Sequence, residues 1–134
     1  MRRVFADAFF YLALLSERDA AHRRATEIFR SGEITGTVTT VAVLLEVADA
    51  LSTPARRGAC AGFLDDLARD PMTTVLRLDD ELFHRGLDLY RTRKDKEWSL
   101  TDCISFAVMA DEGLTEALTG DHHFEQAGFA ALLA

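Results

Sequence analysis

The sequence predicts a three-layer α/β/α domain around a central parallel sheet of four to five strands. Short runs of β-branched or apolar residues alternate with longer segments of helical pattern. No repeat, low-complexity tract or linker interrupts that alternation, and Pro54 and Pro71 both sit at element edges. Strands that each return through a helix pair in parallel and take helices on both faces. At 134 residues the chain suits a single domain over 1–134 that buries a core without disulfide or metal staples.

Val4–Ala6 reads as a short first strand and Ala8–Ser16 as the first helix. A second helix over Asp19–Arg30 stops at Ser31-Gly32. The β-branched run Thr35–Thr39 is the second strand. Helix three runs over Thr40–Leu51, and helix four over Pro54–Arg69 with proline in its first turn. Thr73–Leu78 is the third strand. The helix over Asp79–Arg93 opens on acids and closes on bases, as the helix dipole favours. Ser99–Glu112 gives helix six, ended by Gly113. Glu116–Thr119 makes a fourth strand, and Ala130–Leu133 is a candidate fifth.

Composition narrows the function classes. The chain is 49% hydrophobic and 28% charged, with 15 basic against 22 acidic residues and a net charge of −7. That is a globular composition, not a disordered one. The longest apolar run, Ala8–Leu15, is far too short to cross a membrane. Arg2 and Arg3 precede it, but Asp7 intervenes and no cleavage site follows, so no leader peptide is expected. Cys60 and Cys103 lie in separate apolar contexts without a CxxC, which fits reduced thiols and a cytoplasmic location. The histidines do not read as a zinc site: His22 and His84 are isolated, and His122 and His123 are adjacent rather than a turn apart. Acidic excess argues against a surface that grips nucleic acid all over, although metal ions can neutralise carboxylates locally.

In open parallel sheets, sites form beyond the carboxyl ends of the strands. Asp7 follows the first strand and Asp121 follows the fourth; each is also a plausible helix N-cap. Asp102, in Ser99-Leu100-Thr101-Asp102, reads equally as part of a capping box. Glu46 lies in the most apolar helix, within Val41-Ala42-Val43-Leu44-Leu45-Glu46-Val47-Ala48, with no evident solvent-facing stripe around it. It is either an ordinary helix glutamate, exposed or paired with an arginine, or a carboxylate aimed at a site. The topology can bring all four to one crevice, where their mutual repulsion calls for hard divalent cations, Mg²⁺ or Mn²⁺. Such a centre suits phosphodiester hydrolysis.

The segments Val4-Phe5-Ala6-Asp7, Leu44-Leu45-Glu46-Val47, Trp98 to Phe106 and Leu118 to Phe129 resemble, in order and spacing, the acidic motifs of the PIN-domain family, which includes the VapC-type toxins of toxin–antitoxin systems. The resemblance spans essentially the whole chain. It implies a Rossmann-like fold and an Mg²⁺- or Mn²⁺-dependent endoribonuclease. Asp7 and Asp102 would be direct metal ligands, with Glu46 and Asp121 binding directly, through water or at a second ion. Ser99 and Thr119 are candidates to orient the carboxylates, or simply to cap and bond strand ends.

The same resemblance implies a homodimer and a cognate antitoxin whose C-terminal arm lies near the acidic site. The apolar face of Ala8–Leu15 (Phe9, Phe10, Leu12), with helices two to four, is a candidate docking surface, or core. Arg91, Arg93, Lys94 and Lys96 are candidate RNA contacts, or a solvated helix end. Trp98, beside Leu100, reads as core or rim. One departure stands out. Many members carry Ser or Thr one or two residues after the first Asp, where this chain has Ala8 and Phe9. Three readings remain: a VapC-type toxin, a PIN nuclease without an antitoxin, and a catalytically weak PIN-like module that binds RNA or protein. All four carboxylates are present, which favours a nuclease.

Overall fold

The computed structural model of the chain describes residues 2–134. Five strands form one sheet in the order β3-β2-β1-β4-β5: β1 (Arg3–Ala6), β2 (Gly36–Thr40), β3 (Thr73–Leu76), β4 (Glu116–Leu118) and β5 (Ala130–Ala131). Every pairing is parallel. The helices are α1 (Ala8–Leu15), α2 (His22–Ser31), α3 (Val41–Ala50), α4 (Pro54–Arg69), α5 (Asp80–Thr92), α6 (Leu100–Glu112) and α7 (His122–Gln126). The three-layer parallel architecture expected from the alternation is the one observed.

Differences from the sequence expectation are local. The second helix begins at His22 rather than Asp19, because the Asp19 carboxylate accepts from the Ala21 amide at 2.8 Å and holds those residues in a turn. Strand β3 ends at Leu76 rather than Leu78, where its partner β2 runs out at Thr40. The fifth strand is two residues long. The short α7 has no counterpart in the sequence reading, since five residues are too few to show a period.

Strand β1 is central and fully buried at Val4, Phe5 and Ala6. Its neighbours β2 and β4 lie on opposite sides, so the chain reverses its direction of winding at β1 and opens a crevice beyond the carboxyl ends of β1 and β4. Aromatic rings floor that region: Phe106 meets Trp98 and Phe124 edge-on, each at 5.0 Å between centroids. Helices α5 and α6 press together at Gly86, where any side chain would collide with Ile104. Trp98 is core, donating its indole N–H to Gln126 Oε1 at 3.0 Å. Both cysteines are free and buried.

Candidate metal centre

The parallel sheet carries Asp7 and the Thr119–Asp121 loop out of adjacent strand ends. Asp7 occupies the N-cap position of α1, yet its carboxylate makes no capping hydrogen bond. It instead accepts the Thr119 hydroxyl on Oδ2 at 2.8 Å. Thr119 is fully buried and also accepts from the Asp121 amide at 3.1 Å. One hydroxyl therefore ties the first carboxylate to the loop bearing another, 112 positions away.

Asp102 and Asp121 do cap helices. Ser99 and Asp102 form a reciprocal capping box, with Asp102 Oδ2 accepting from the Ser99 amide at 3.1 Å. Asp121 Oδ1 accepts from the His123 amide at 2.9 Å. Cap and site are thus not alternatives at these positions. In all three aspartates one oxygen is anchored, and the other has no side-chain partner among the described residues. Anchoring one oxygen fixes the plane of the carboxylate and leaves the second to meet a ligand.

Glu46 requires a correction. Val41, Leu45, Glu46, Asp49 and Ala50 form an exposed stripe on α3, so the glutamate stands at the solvent side of the crevice, not within an apolar surround. Surrounding protein still hinders its hydration, and Asp7, Asp102 and Asp121 repel it, so its carboxyl is pushed up to about 7. Burial pushes Asp7 up to about 6, against the Thr119 hydroxyl and the Ala8 amide, with Asp102 and Asp121 adding repulsion. Burial also raises Asp102, offset in part by the Ser99 amide. Among the described residues, no lysine or arginine pairs with any of the four. The centre concentrates negative charge with only the imidazoles of His122 and His123 beside it.

The sequence reads no zinc site in its histidines, and the structure places one of them beside the acidic centre. His123, on α7, places Nδ1 3.2 Å from Asp102 Oδ2 and 3.2 Å from Asp121 Oδ1. A helix too short to register in the sequence aims it there. The available signal was Asp121 capping a turn that carries His123 two residues on.

The missing hydroxyl after Asp7 also has a structural counterpart. Gly120 leaves room for the Phe9 ring, and a Cβ there would lie 2.5 Å from Phe9 Cζ. The ring presses on the loop that carries Asp121, so Phe9 supports the centre by contact rather than by hydrogen bonding.

The basic segment lies beside Ser99. A groove of about 750 Å³ is lined by Tyr90, Arg93, Lys94, Lys96, Trp98 and Ser99, among others. Arg93 and Lys96 both pair with Asp95, Arg91 pairs with Asp88, and Arg93 stacks over Trp98 at 4.9 Å. Lys94 makes no ion pair among the described residues and is exposed. The proposed docking face of α1 is mostly interior: Phe10 is buried, and Leu12 packs on the core. Apolar exposure lies instead at Phe29 and Met72, which border a cavity of about 280 Å³, and at Val41 and Leu45 on α3.

A donor set of three anchored carboxylates, a fourth at the mouth and an imidazole nitrogen fits a divalent cation by its chemistry. The family profile of the PIN domain matches residues 4–130. No curated protein matches at a significant level. Among solved structures, the chain is similar to the Mycobacterium tuberculosis toxin VapC20, described as cleaving the sarcin-ricin loop, at a TM-score of 0.86. Identity is 25%, over 95% of this chain and 96% of that one. With the acidic crevice lying at the strand ends where its four motifs converge, the chain belongs to the PIN-domain family.

Proposed function

We propose that the protein is a VapC-type toxin, an endoribonuclease that hydrolyses RNA phosphodiester bonds at the acidic crevice with Mg²⁺ or Mn²⁺. The observation that carries this reading is the convergence of Asp7, Glu46, Asp102 and Asp121 with no basic partner, together with burial of Asp7. A structural carboxylate cluster would be expected to recruit lysine or arginine, because unpaired buried charge is costly.

Asp7 and Asp102 would hold the cation, with Asp121 and Glu46 binding directly or through water. When bound, the cation supplies Lewis-acid activation of water and neutralises charge on the scissile phosphate. Thr119 and Ser99 orient the carboxylates of Asp7 and Asp102. Glu46, whose carboxyl is raised by hindered hydration and by the neighbouring aspartates when no cation is bound, would position the attacking water at the mouth of the crevice. Arg91, Arg93, Lys94 and Lys96 would steer the RNA backbone along the groove beside Ser99, with Lys94 the most available and Asp95 competing for Arg93 and Lys96.

The partners follow from the same reading. An antitoxin would cover the apolar surface at Phe29 and Met72, and a second copy would pack on Val41 and Leu45. Among the described residues no helix is long and apolar enough to cross a membrane, and a cytoplasmic location accords with two free thiols.

The deciding experiment incubates a panel of structured RNAs with the purified protein, with Mg²⁺, with Mn²⁺ and with EDTA, beside an Asp7→Asn variant. Cleavage that needs the metal and disappears in the variant is expected. Equal cleavage by both proteins, or none by folded wild type freed of any antitoxin, would overturn the reading.

A further inference from the structure

Tyr90, near the end of α5, is half exposed. Single apolar side chains on a surface need no explanation, but this one lines a groove of about 750 Å³ together with Arg93, Lys94, Lys96 and Ser99. Phe29 and Met72, also exposed, border a cavity that contains no lysine or arginine. In the Tyr90 groove three cations outnumber two acids, Glu97 in the lining and Asp95 beside it. That local sign opposes the net charge of −7 carried by the whole chain. A surface of the opposite sign to its molecule suits an anionic ligand.

The two aromatic rings of the groove differ in what they have left to offer. Trp98 is engaged on every side: its N–H bonds Gln126, Phe106 meets it edge-on at 5.0 Å, and the Arg93 guanidinium lies over its ring at 4.9 Å. Tyr90 pairs with no other ring among the described residues. An open aromatic face beside cations is the combination that holds single-stranded nucleic acid, the cations taking phosphates and the ring a base. Within a duplex both faces of a base are covered by its neighbours, so such a ring gains nothing from paired RNA. The groove also leads to the acidic crevice. Ser99 lines it, and the Ser99 amide donates to Asp102 Oδ2 at 3.1 Å.

We infer that Tyr90 stacks on a base of RNA bound in this groove, with Lys94 on a neighbouring phosphate, and is the residue through which the protein tells unpaired RNA from paired. The inference rests on the ribonuclease reading above and deepens it by assigning substrate form to one side chain. Every base presents a π-face, so the ring selects the unpaired state rather than a sequence. Tyr90 binds and positions; the chemistry stays with the carboxylates.

The test measures binding by the full chain in EDTA at low ionic strength, so that no cleavage intervenes. Three fluorescein-labelled probes of equal length are compared: a single-stranded RNA without self-complementarity, the same ribose–phosphate chain without bases, and an RNA duplex. Tyr90→Leu keeps an apolar side chain without a π-face, and Tyr90→Phe keeps the ring; an unchanged Tm verifies that each is folded. Tyr90→Leu is expected to weaken binding of the single strand roughly 5- to 100-fold and to leave the base-free chain and the duplex unchanged. Tyr90→Phe binds all three as the wild type does. Lys94→Ala weakens all three alike, as a phosphate contact should. Equal losses on the single strand and the base-free chain, or no loss on either, overturn the stacking and leave the ribonuclease reading standing on its metal-dependent cleavage. A loss in Tyr90→Phe as large as in Tyr90→Leu assigns the effect to the hydroxyl and overturns the stacking as well. Wild-type protein that binds no probe also overturns it, and RNA cleavage with Mg²⁺ then decides whether the ribonuclease reading falls too.

Discussion

The two ends of the β1–β4 seam treat their acids in opposite ways. At the amino end, Arg2 grips Glu116 with two parallel hydrogen bonds of 3.0 Å and reaches Glu33 with a third. The Arg2 guanidinium holds the Glu116 carboxyl below its usual range. At the carboxyl end, Asp7 and Asp121 lie close together with hydroxyl and amide partners but, among the described residues, no lysine or arginine, and burial drives Asp7 the other way. Same strands, same residue class, opposite electrostatics. The amino end is a finished structural joint, and the carboxyl end holds charge in readiness for something the chain does not contain. Sites that sacrifice local stability in this manner are commonly functional.

Four changes probe that contrast. The largest effect is expected at the carboxyl end, where Asp102→Asn lowers RNA cleavage on the order of 10³-fold. Arg2→Met, at the other end, leaves cleavage in the same assay unchanged. A comparable loss in both would erase the distinction between joint and site.

Next is the pH dependence of the metal-free fold. The carboxyl of Asp7 is raised in the folded state, so the native protein binds the extra proton between its ordinary value of 3.8 and about 6. Stability contributed by that proton is complete below that window and is lost as pH rises through it. The loss approaches about 3 kcal/mol for the group alone. Chemical denaturation in EDTA at pH 4.5 and pH 8 captures about 2 kcal/mol of it, and Asp7→Asn flattens the profile. Rising stability across the same interval would contradict the burial argument.

A smaller effect follows from Thr119→Val. It removes the hydroxyl that orients Asp7 and holds the Asp121 amide. Cleavage should fall roughly 10–100-fold, with metal affinity weakened, read by steady-state rates across a metal titration. A valine variant with wild-type rates would assign the threonine to packing alone.

Gly86→Ala gives the least, since it touches neither end. The methyl group meets Ile104 where α5 and α6 are closest. A loss of about 1–3 kcal/mol in stability is expected, without change in metal affinity. Thermal denaturation with and without Mn²⁺ separates the two.

Much of this was legible in the residues. The alternation of Val4–Ala6, Thr35–Thr39 and Glu116–Thr119 with helical segments predicts a parallel sheet, and a parallel sheet locates its own site. Position places Asp7 and Asp121 after strands and Asp102 at a helix start, where each reads as a cap as well as a ligand. What sequence periodicity cannot register is lateral proximity and the environment of a single face. Glu46 looks enclosed among apolar letters, yet α3 turns it outward with Val41, Leu45 and Asp49. His123 looks idle beside His122, because the single turn of α7 that aims it is too short to leave a pattern. Similarly, the link from Thr119 to Asp7 spans nearly the whole chain and has no local signature.

That long link also bears on how the molecule comes into being. Strand β1 ends at Ala6 and is synthesised well before its partner β4, which begins at Glu116. Joining them closes a loop of most of the polypeptide, an event that sequence-distant contacts make slow. Until Thr119 reaches Asp7, the first carboxylate has neither its orienting hydroxyl nor its acidic neighbour. A nascent chain stopped anywhere before that strand therefore lacks the assembled centre. The order of synthesis itself postpones assembly of the centre until β4 and the loop that follows it have emerged.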